Sequence, residues 1–270
     1  VPLPRLYSEK RSQLESWLDE KPAHWRGYFD GSLWTNLESP REFVPADMTA
    51  DQIREINAMT HIENELIDEA VGDVIGFLHS KQWIKNTDIF FTTDHGELQG
   101  DFGLLFKGPY HVNALMHLPF IWKPAEAANI PSAEVASPVG HVDLASTFCA
   151  IADITPPDYC EGKPLPVSED EAVQQEREIV LTEWDSEHGP IDMHLKSIYH
   201  RDGFLCTAYE KSHLYDGTEG ELYDMKEDPD QLRNLWSDPG YASHRAELTD
   251  RLYASLPEGA TEKLPRKAPV

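Results

Sequence analysis

The chain has 270 residues, of which 40% are hydrophobic and 26% are charged, a composition typical of a globular protein. Its 48 acidic and 23 basic side chains give a net charge of −25, so nucleic acid is not an expected partner, because a basic surface for phosphates is missing. An anionic substrate would need a local positive charge to attract it. The three cysteines are irregularly spaced and do not predict a disulfide framework.

The N-terminal segment, residues 1–47, is rich in Pro and Trp and is predicted to be an irregular connecting segment, with one short helix from Ser12 to Glu20. Val1 to Arg5 do not follow the plan of a signal peptide, which leaves the location open with the cytoplasm favoured. No apolar run in the chain has the length of a membrane span, so no membrane partner is expected.

A long helix is predicted to begin after Thr49. Thr49 and Gln52 have the spacing of a capping box, and Met48 and Ile53 have that of a hydrophobic staple. Apolar residues then recur at spacings of three and four, which predicts one face that packs on a sheet. The face comprises Ile53, Ile56, Met59, Ile62, Leu66, Ala70, Val74 and Phe77.

A short buried strand is predicted from Ile89 to Thr93, and it ends in Asp94, His95 and Gly96. Consecutive side chains of a strand point to opposite faces, so Asp94 and His95 could share a ligand only where the strand geometry ends. Gly96 permits that turn. A carboxylate and an imidazole brought together in this way would form part of a metal site, with carboxylates suiting calcium and imidazole suiting manganese.

The remaining elements predict an α/β fold: part of a doubly wound, mostly parallel sheet flanked by helices, followed by a small antiparallel C-terminal sheet with a terminal helix. A strand is expected from His117 to Trp122 and a helix from Val142 to Ala152. The predicted organisation has residues 48–155 in the α/β part and residues 156–270 in the C-terminal subdomain. The subdomain elements are the strands Ile179–Glu183, His194–Tyr199, Phe204–Tyr209 and Glu221–Asp224, a hairpin turn at Arg201–Gly203, and a helix Tyr241–Leu256.

Three ordered motifs follow the buried strand: Thr93-Asp-His-Gly-Glu97, Gly100-Asp-Phe-Gly103 and Lys107-Gly-Pro109. In this order and spacing they resemble the sulfatase family of the alkaline phosphatase superfamily, including arylsulfatases and phosphonate monoester hydrolases. The resemblance extends from about Met59 to Trp236 and corresponds to the C-terminal portion of such an enzyme. Phe102 departs from it, because the family often has His at that position.

The resemblance implies roles for particular residues. Asp94 and His95 would be metal ligands, with calcium as the expected ion and manganese as the alternative. Lys107 would bind an oxygen of the substrate's sulfate, and His111 is a candidate proton donor to the leaving group. Glu97 and Asp101 would orient the loop.

The resemblance also implies a nucleophile that this sequence lacks. Sulfatases use a formylglycine made from Cys or Ser in a Cys-x-Pro-x-Arg type motif, and Cys149, Cys160 and Cys206 do not stand in such a motif. We therefore expect a metal-dependent hydrolase of sulfate esters in which this chain is the C-terminal part, inactive alone, with a small anionic ester as substrate. Its partner would be the missing N-terminal half or another copy of the chain.

Two other functions stay open at this stage. One is a phosphodiesterase or phosphonate monoester hydrolase of the same superfamily. The other is a non-catalytic metal-binding module that completes a site in another chain.

Overall fold

The computed structural model describes residues 1–33, 43–188 and 191–257. Its helices are α1 Arg11–Leu18, α2 Ala23–Phe29, α3 Ala50–Ser80, α4 Asn113–Met116, α5 Val142–Ile151, α6 Glu169–Gln174 and α7 Ala242–Ser255. Its strands are β1 Ile89–Phe91, β2 Ile121–Lys123, β3 Ile179–His188, β4 Ile191–His200, β5 Phe204–Tyr209 and β6 Gly220–Asp224. Within the described residues, no helix combines the length and the apolar character needed to cross a membrane.

The first sheet is small and consists of β1 and β2, paired antiparallel with Phe90 opposite Trp122. The two rings stack with centroids 5.2 Å apart, and the Trp122 indole donates to Asp88 at 2.9 Å. The predicted strand from His117 is shorter in the structure and begins at Ile121. Pro119 explains the difference, because it cannot donate a hydrogen bond to a strand ladder. The parallel pairing expected for this region is not among the pairings of the described residues.

Helix α3 begins as predicted. The Thr49 hydroxyl accepts from the Gln52 amide at 3.3 Å, and the Gln52 side chain accepts from the Thr49 amide at 2.9 Å. Ile53 is fully buried. The expectation that the whole apolar face packs on a sheet is not met within the described residues, because six large side chains on α3 are 51–60% exposed. We call these six the α3 apolar face: Met59, Ile62, Leu66, Ile67, Val74 and Phe77.

The C-terminal part is a four-stranded antiparallel sheet in the order β3-β4-β5-β6, which confirms the predicted antiparallel sheet and terminal helix. Gly203 turns the chain between β4 and β5 at φ +100°, where the sequence predicted a hairpin. Helix α7 covers one side of the sheet and buries Leu248 and Leu252 against Ile198 and Leu222.

The short helix predicted in the N-terminal segment is present as α1, whereas α2 was not predicted, and both helices belong to a core. Trp25 and Phe29 of α2 are buried with Phe102, Tyr110 and neighbouring side chains of the loop that follows β1. Helix α2 has only seven residues and contains Gly27, so neither periodicity nor helix propensity indicates it. The loop that carries the predicted site therefore rests on the N-terminal helices.

Candidate functional site

The Asp94–His95 pair lies directly after β1 and is organised by short local hydrogen bonds. Asp94 Oδ1 accepts from the His95 amide at 3.0 Å and from the Thr93 hydroxyl at 3.2 Å. The hydrogen bond from the His95 amide is the largest of the contributions that lower the pKa of Asp94. His95 Nδ1 lies 2.8 Å from the carbonyl oxygen of Gly96, which can only accept, so Nδ1 carries the proton.

The second ring nitrogen of His95 and the second carboxylate oxygen of Asp94 face each other. His95 Nε2 and Asp94 Oδ2 lie 3.5 Å apart, and both side chains reach solvent. In the neutral imidazole Nε2 is an acceptor, as Oδ2 is, so a cation between them would stabilise the pair. The structure thus brings the two predicted metal ligands together. In the part of the chain that is described, no group of three or more His, Cys, Asp or Glu side chains is placed to hold a metal ion.

Gly96 fixes the turn that makes this geometry possible. Its amide donates to the carbonyl oxygen of Leu115 at 2.9 Å, which joins the turn to the end of α4. A Cβ at this position would lie 1.8 Å from the carbonyl oxygen of Ala114. Only glycine fits so close to another backbone segment.

The loop after Gly96 is held by the half-buried Asp101 and the buried Phe102. Asp101 Oδ1 accepts from the Leu6 amide at 3.2 Å, and burial raises the pKa of Asp101. Phe102 has a left-handed backbone at φ 57° and packs edge-on against Trp25 with centroids 5.2 Å apart. Phe102 thus fills the N-terminal core. The placement of Asp101 agrees with the loop-orienting role suggested for it.

Lys107 and His111 lie on the same loop but in different surroundings. Lys107 is partly exposed, whereas His111 is buried. His111 Nδ1 lies 2.5 Å from the hydroxyl of Ser197, which in turn lies 2.7 Å from the hydroxyl of Thr207. Burial, with a smaller contribution from Lys196, lowers the pKa of His111 to about 4. His111 therefore joins the loop to the C-terminal sheet, a placement that favours a structural role over proton donation.

Two buried polar residues beside this loop were not predicted from the sequence. Lys21 precedes α2 and His24 lies in its first turn. Lys21 bonds to Tyr223, 202 residues away, and His24 bonds to Pro109, 85 residues away. The sequence Lys-Pro-Ala-His does not have the residue spacing of a known binding motif, so the sequence alone did not indicate a role for it. Only the long-range contacts show its relation to the loop.

Comparison with known proteins identifies the family. Residues 100–257 match the family described as N-sulphoglucosamine sulphohydrolase, C-terminal. An uncharacterized sulfatase of Escherichia coli is 32% identical over 91% of this chain and 44% of its own length. A Delta 4,5-hexuronate-2-O-sulfatase of Bacteroides thetaiotaomicron is 26% identical over 84% of this chain and 49% of its own length. The chain thus spans about half the length of these relatives.

Solved structures agree on the fold. A 2-O GAG sulfatase superposes with a TM-score of 0.66 and 23% identity, over 95% of this chain and 55% of that one. The phosphonate monoester hydrolase of Agrobacterium radiobacter gives a TM-score of 0.67 and 22% identity, over 78% of this chain and 43% of that one. The order of motifs after β1, the fold and the family match lead to one conclusion: the chain belongs to the sulfatase family and corresponds to the C-terminal portion of its members.

Proposed function

We propose that this chain supplies the metal-binding strand end and the anion-binding lysine of a hydrolase of sulfate esters. The observation that carries the proposal is the pair of acceptor atoms, His95 Nε2 and Asp94 Oδ2, 3.5 Å apart at the end of β1. That separation is compatible with two ligand bonds of about 2.3–2.6 Å to one ion. When bound, a divalent ion would neutralise charge on the ester's oxygens.

The donor set fits a divalent metal but does not complete its coordination. One carboxylate and one imidazole leave most positions of a calcium or manganese ion to other ligands. We propose that further oxygen ligands come from the N-terminal half of the sulfatase fold. Calcium is the expected ion and manganese the alternative, since the pair contains both an oxygen and a nitrogen donor.

Lys107 would contribute a local positive charge to a chain whose net charge is strongly negative. With a net charge of −25, the protein repels anions unless a local cation attracts them. An ammonium group at the partly exposed position of Lys107 could pair with a non-bridging oxygen and stabilise the negative charge that develops on cleavage. Proton donation by His111 stays a prediction, and its burial beside Ser197 gives it little support.

The cysteines support the proposal that this chain is inactive alone. Cys206 is buried, and burial raises its pKa to about 11, so it is a poor nucleophile. Neither it nor the other cysteines stand in a formylglycine motif. The nucleophile would then come from the N-terminal half. The α3 apolar face is where we expect that half to pack, since its six large side chains are 51–60% exposed.

Hydrolysis of phosphate diesters or phosphonate monoesters is the second candidate. A multifunctional alkaline phosphatase superfamily protein of Trinickia caryophylli is 27% identical over 73% of this chain and 42% of its own length. Sulfate and phosphate esters present similar anionic oxygens to a metal and a lysine. The two candidates therefore differ in the reacting atom and not in the residues proposed for this chain.

The test uses the protein encoded by the complete reading frame, assayed on an aryl sulfate, an aryl phosphodiester and an aryl phosphonate with calcium or manganese. We expect the aryl sulfate to be hydrolysed fastest and Asp94→Asn to abolish most of that activity. The matched control is Asp250→Asn, an exposed carboxylate of α7, which should leave activity unchanged. No activity on any ester, with full folding, would favour a non-catalytic partner module and contradict the proposal.

A further inference from the structure

The imidazole of His24 contacts the turn that follows Lys107. His24 lies on α2 and is fully buried. Its Nε2 lies 3.0 Å from the carbonyl oxygen of Pro109, and its Nδ1 lies 2.6 Å from the hydroxyl of Tyr215. The backbone amide of His24 donates to the same hydroxyl at 3.1 Å. One side chain thus joins α2, the Lys107 loop and the segment between β5 and β6.

The hydrogen bonds define one tautomer. The carbonyl oxygen of Pro109 can only accept, so Nε2 of His24 carries the proton and Nδ1 accepts from the Tyr215 hydroxyl. That hydroxyl accepts in turn from the His24 amide, so each donor has an acceptor. Burial is the main cause that lowers the pKa of His24 to about 3, which keeps the imidazole neutral at physiological pH.

The same imidazole also fixes the turn by stacking. The ring of Tyr110 lies nearly parallel to it, at 16° and with centroids 5.4 Å apart. The Tyr110 amide donates to the carbonyl oxygen of Gly108 at 2.7 Å, which closes the turn. A Cβ on Gly108 would lie 2.7 Å from the Tyr110 ring, so the backbone of Gly108 and that ring are in close contact. The turn immediately after Lys107 is thus held by the His24 imidazole and by the Tyr110 ring.

We propose that His24 is a positioning residue for Lys107, acting through its Nε2–H bond to Pro109 and its stack on Tyr110. The inference rests on the proposed function, since it assumes that Lys107 binds the ester's anionic group. An ammonium on a flexible stem gains from a fixed backbone, because less conformational freedom is lost when it pairs with an anion. The buried imidazole of His24 would thus contribute to catalysis without contacting the substrate.

The decisive comparison is between two polar substitutions of His24. The amide of Gln extends about as far as Nε2 and can still donate to Pro109, whereas the shorter Asn extends only to the position of Nδ1. In the protein encoded by the complete reading frame, we expect His24→Asn to lower kcat/KM for an aryl sulfate by about 10–100-fold. His24→Gln should retain most of the parent's kcat/KM. A control for lost stability alone is Leu252→Ala, in the core beneath α7.

A second readout does not depend on activity. In the protein encoded by the complete reading frame, the nitrogen chemical shifts of His24 should report the Nε2–H tautomer, and hydrogen exchange should show a protected Tyr110 amide. His24→Asn should speed that exchange and His24→Gln should not. Should His24→Asn fail to fold, Tyr215→Phe removes the hydroxyl that hydrogen-bonds to Nδ1 and to the amide of His24 and should also speed the exchange.

The outcomes separate this inference from the proposed function. Equal kcat/KM and equal Tyr110 exchange in the Asn and Gln variants would overturn the positioning role. If Lys107→Met leaves kcat/KM unchanged while His24→Asn still loosens the turn, then the anion-binding role of Lys107 fails and the turn contact remains as a structural feature. Loss of stability without a difference between Asn and Gln would also overturn the inference.

Discussion

Lys21 and Tyr223 are 202 residues apart in the sequence, yet the Lys21 ammonium donates to the Tyr223 hydroxyl at 2.8 Å in the interior of the protein. The ammonium also donates to the carbonyl oxygen of Gln231 at 2.5 Å. It lies 4.4–4.9 Å from the ring centroids of Trp25, Phe102 and Tyr223. Burial lowers the pKa of Lys21 to about 8, against the opposing effect of Glu221, so the group is charged at neutral pH.

Replacing Lys21 by Met should destabilise the fold. The substitution keeps the apolar stem but leaves the carbonyl oxygen of Gln231 unpaired and Glu221 without its nearby cation, which we expect to cost about 1–3 kcal/mol. Urea denaturation of the protein encoded by the complete reading frame, in which we expect the α3 apolar face to be covered, measures the change in the free energy of unfolding. Lys10→Met, at an exposed position, is the control and should change stability by less than about 0.5 kcal/mol. A Lys21→Met variant as stable as the parent would show that the buried ammonium contributes nothing net.

Stability should fall in acid because two histidines are buried in the neutral form. Burial lowers the pKa from 6.5 to about 3 for His24 and to about 4 for His111. Below pH 6.5 the unfolded chain binds protons that the folded chain does not, so the free energy of unfolding decreases by about 1.4 kcal/mol per pH unit for each histidine. The loss ends near pH 4 for His111 and near pH 3 for His24.

Urea denaturation of the protein encoded by the complete reading frame at pH 7.5, 6 and 5 measures this dependence. A His111→Gln variant should lose part of the slope, whereas His61→Gln, an exposed position on α3, should retain all of it. A slope that is the same in the parent and in His111→Gln would contradict the assignment of His111 as a buried neutral imidazole.

The α3 apolar face should make the isolated 270-residue chain prone to association. We expect the chain to bind a hydrophobic surface dye and to unfold without a sharp monomeric transition, because six large apolar side chains on one helix are exposed. Leu66→Glu combined with Val74→Glu should reduce dye binding and light scattering at little cost in stability, since both positions are 60% exposed. Cooperative monomeric unfolding of the parent with no dye binding would refute this expectation.

Gly96→Ala should disturb the metal-ligand turn selectively. The added Cβ would lie 1.8 Å from the carbonyl oxygen of Ala114, so the turn must move and the Asp94–His95 geometry with it. In the protein encoded by the complete reading frame, we expect calorimetry to show weaker manganese binding by Gly96→Ala. We also expect this variant to be less stable. Gly76→Ala is the matched control, since a Cβ there meets nothing within 4 Å, and it should stabilise the helix by about 0.5–1 kcal/mol. Unchanged metal affinity in Gly96→Ala would show that the turn tolerates displacement.

The sequence predicted the features that depend on local patterns. The Thr49–Gln52 capping box and the Gly203 hairpin are formed by residues close in the chain, and the structure contains both. The closeness of Asp94 and His95 was predicted from a strand end followed by glycine. The roles of His24 and Lys21 could not be predicted, because their burial depends on partners 85 and 202 residues away. The same reason explains His111, whose position beside Ser197 depends on the packing of its loop against β4, 86 residues away.

The central claim is that a divalent ion lies between Asp94 and His95. A crystal structure of the protein encoded by the complete reading frame, grown with manganese and measured at the manganese absorption edge, tests it directly. The account predicts an anomalous peak within bonding distance of Asp94 Oδ2 and His95 Nε2, which is lost in Asp94→Asn. The contradicting result is an ordered strand end with the two side chains turned apart and no anomalous peak between them.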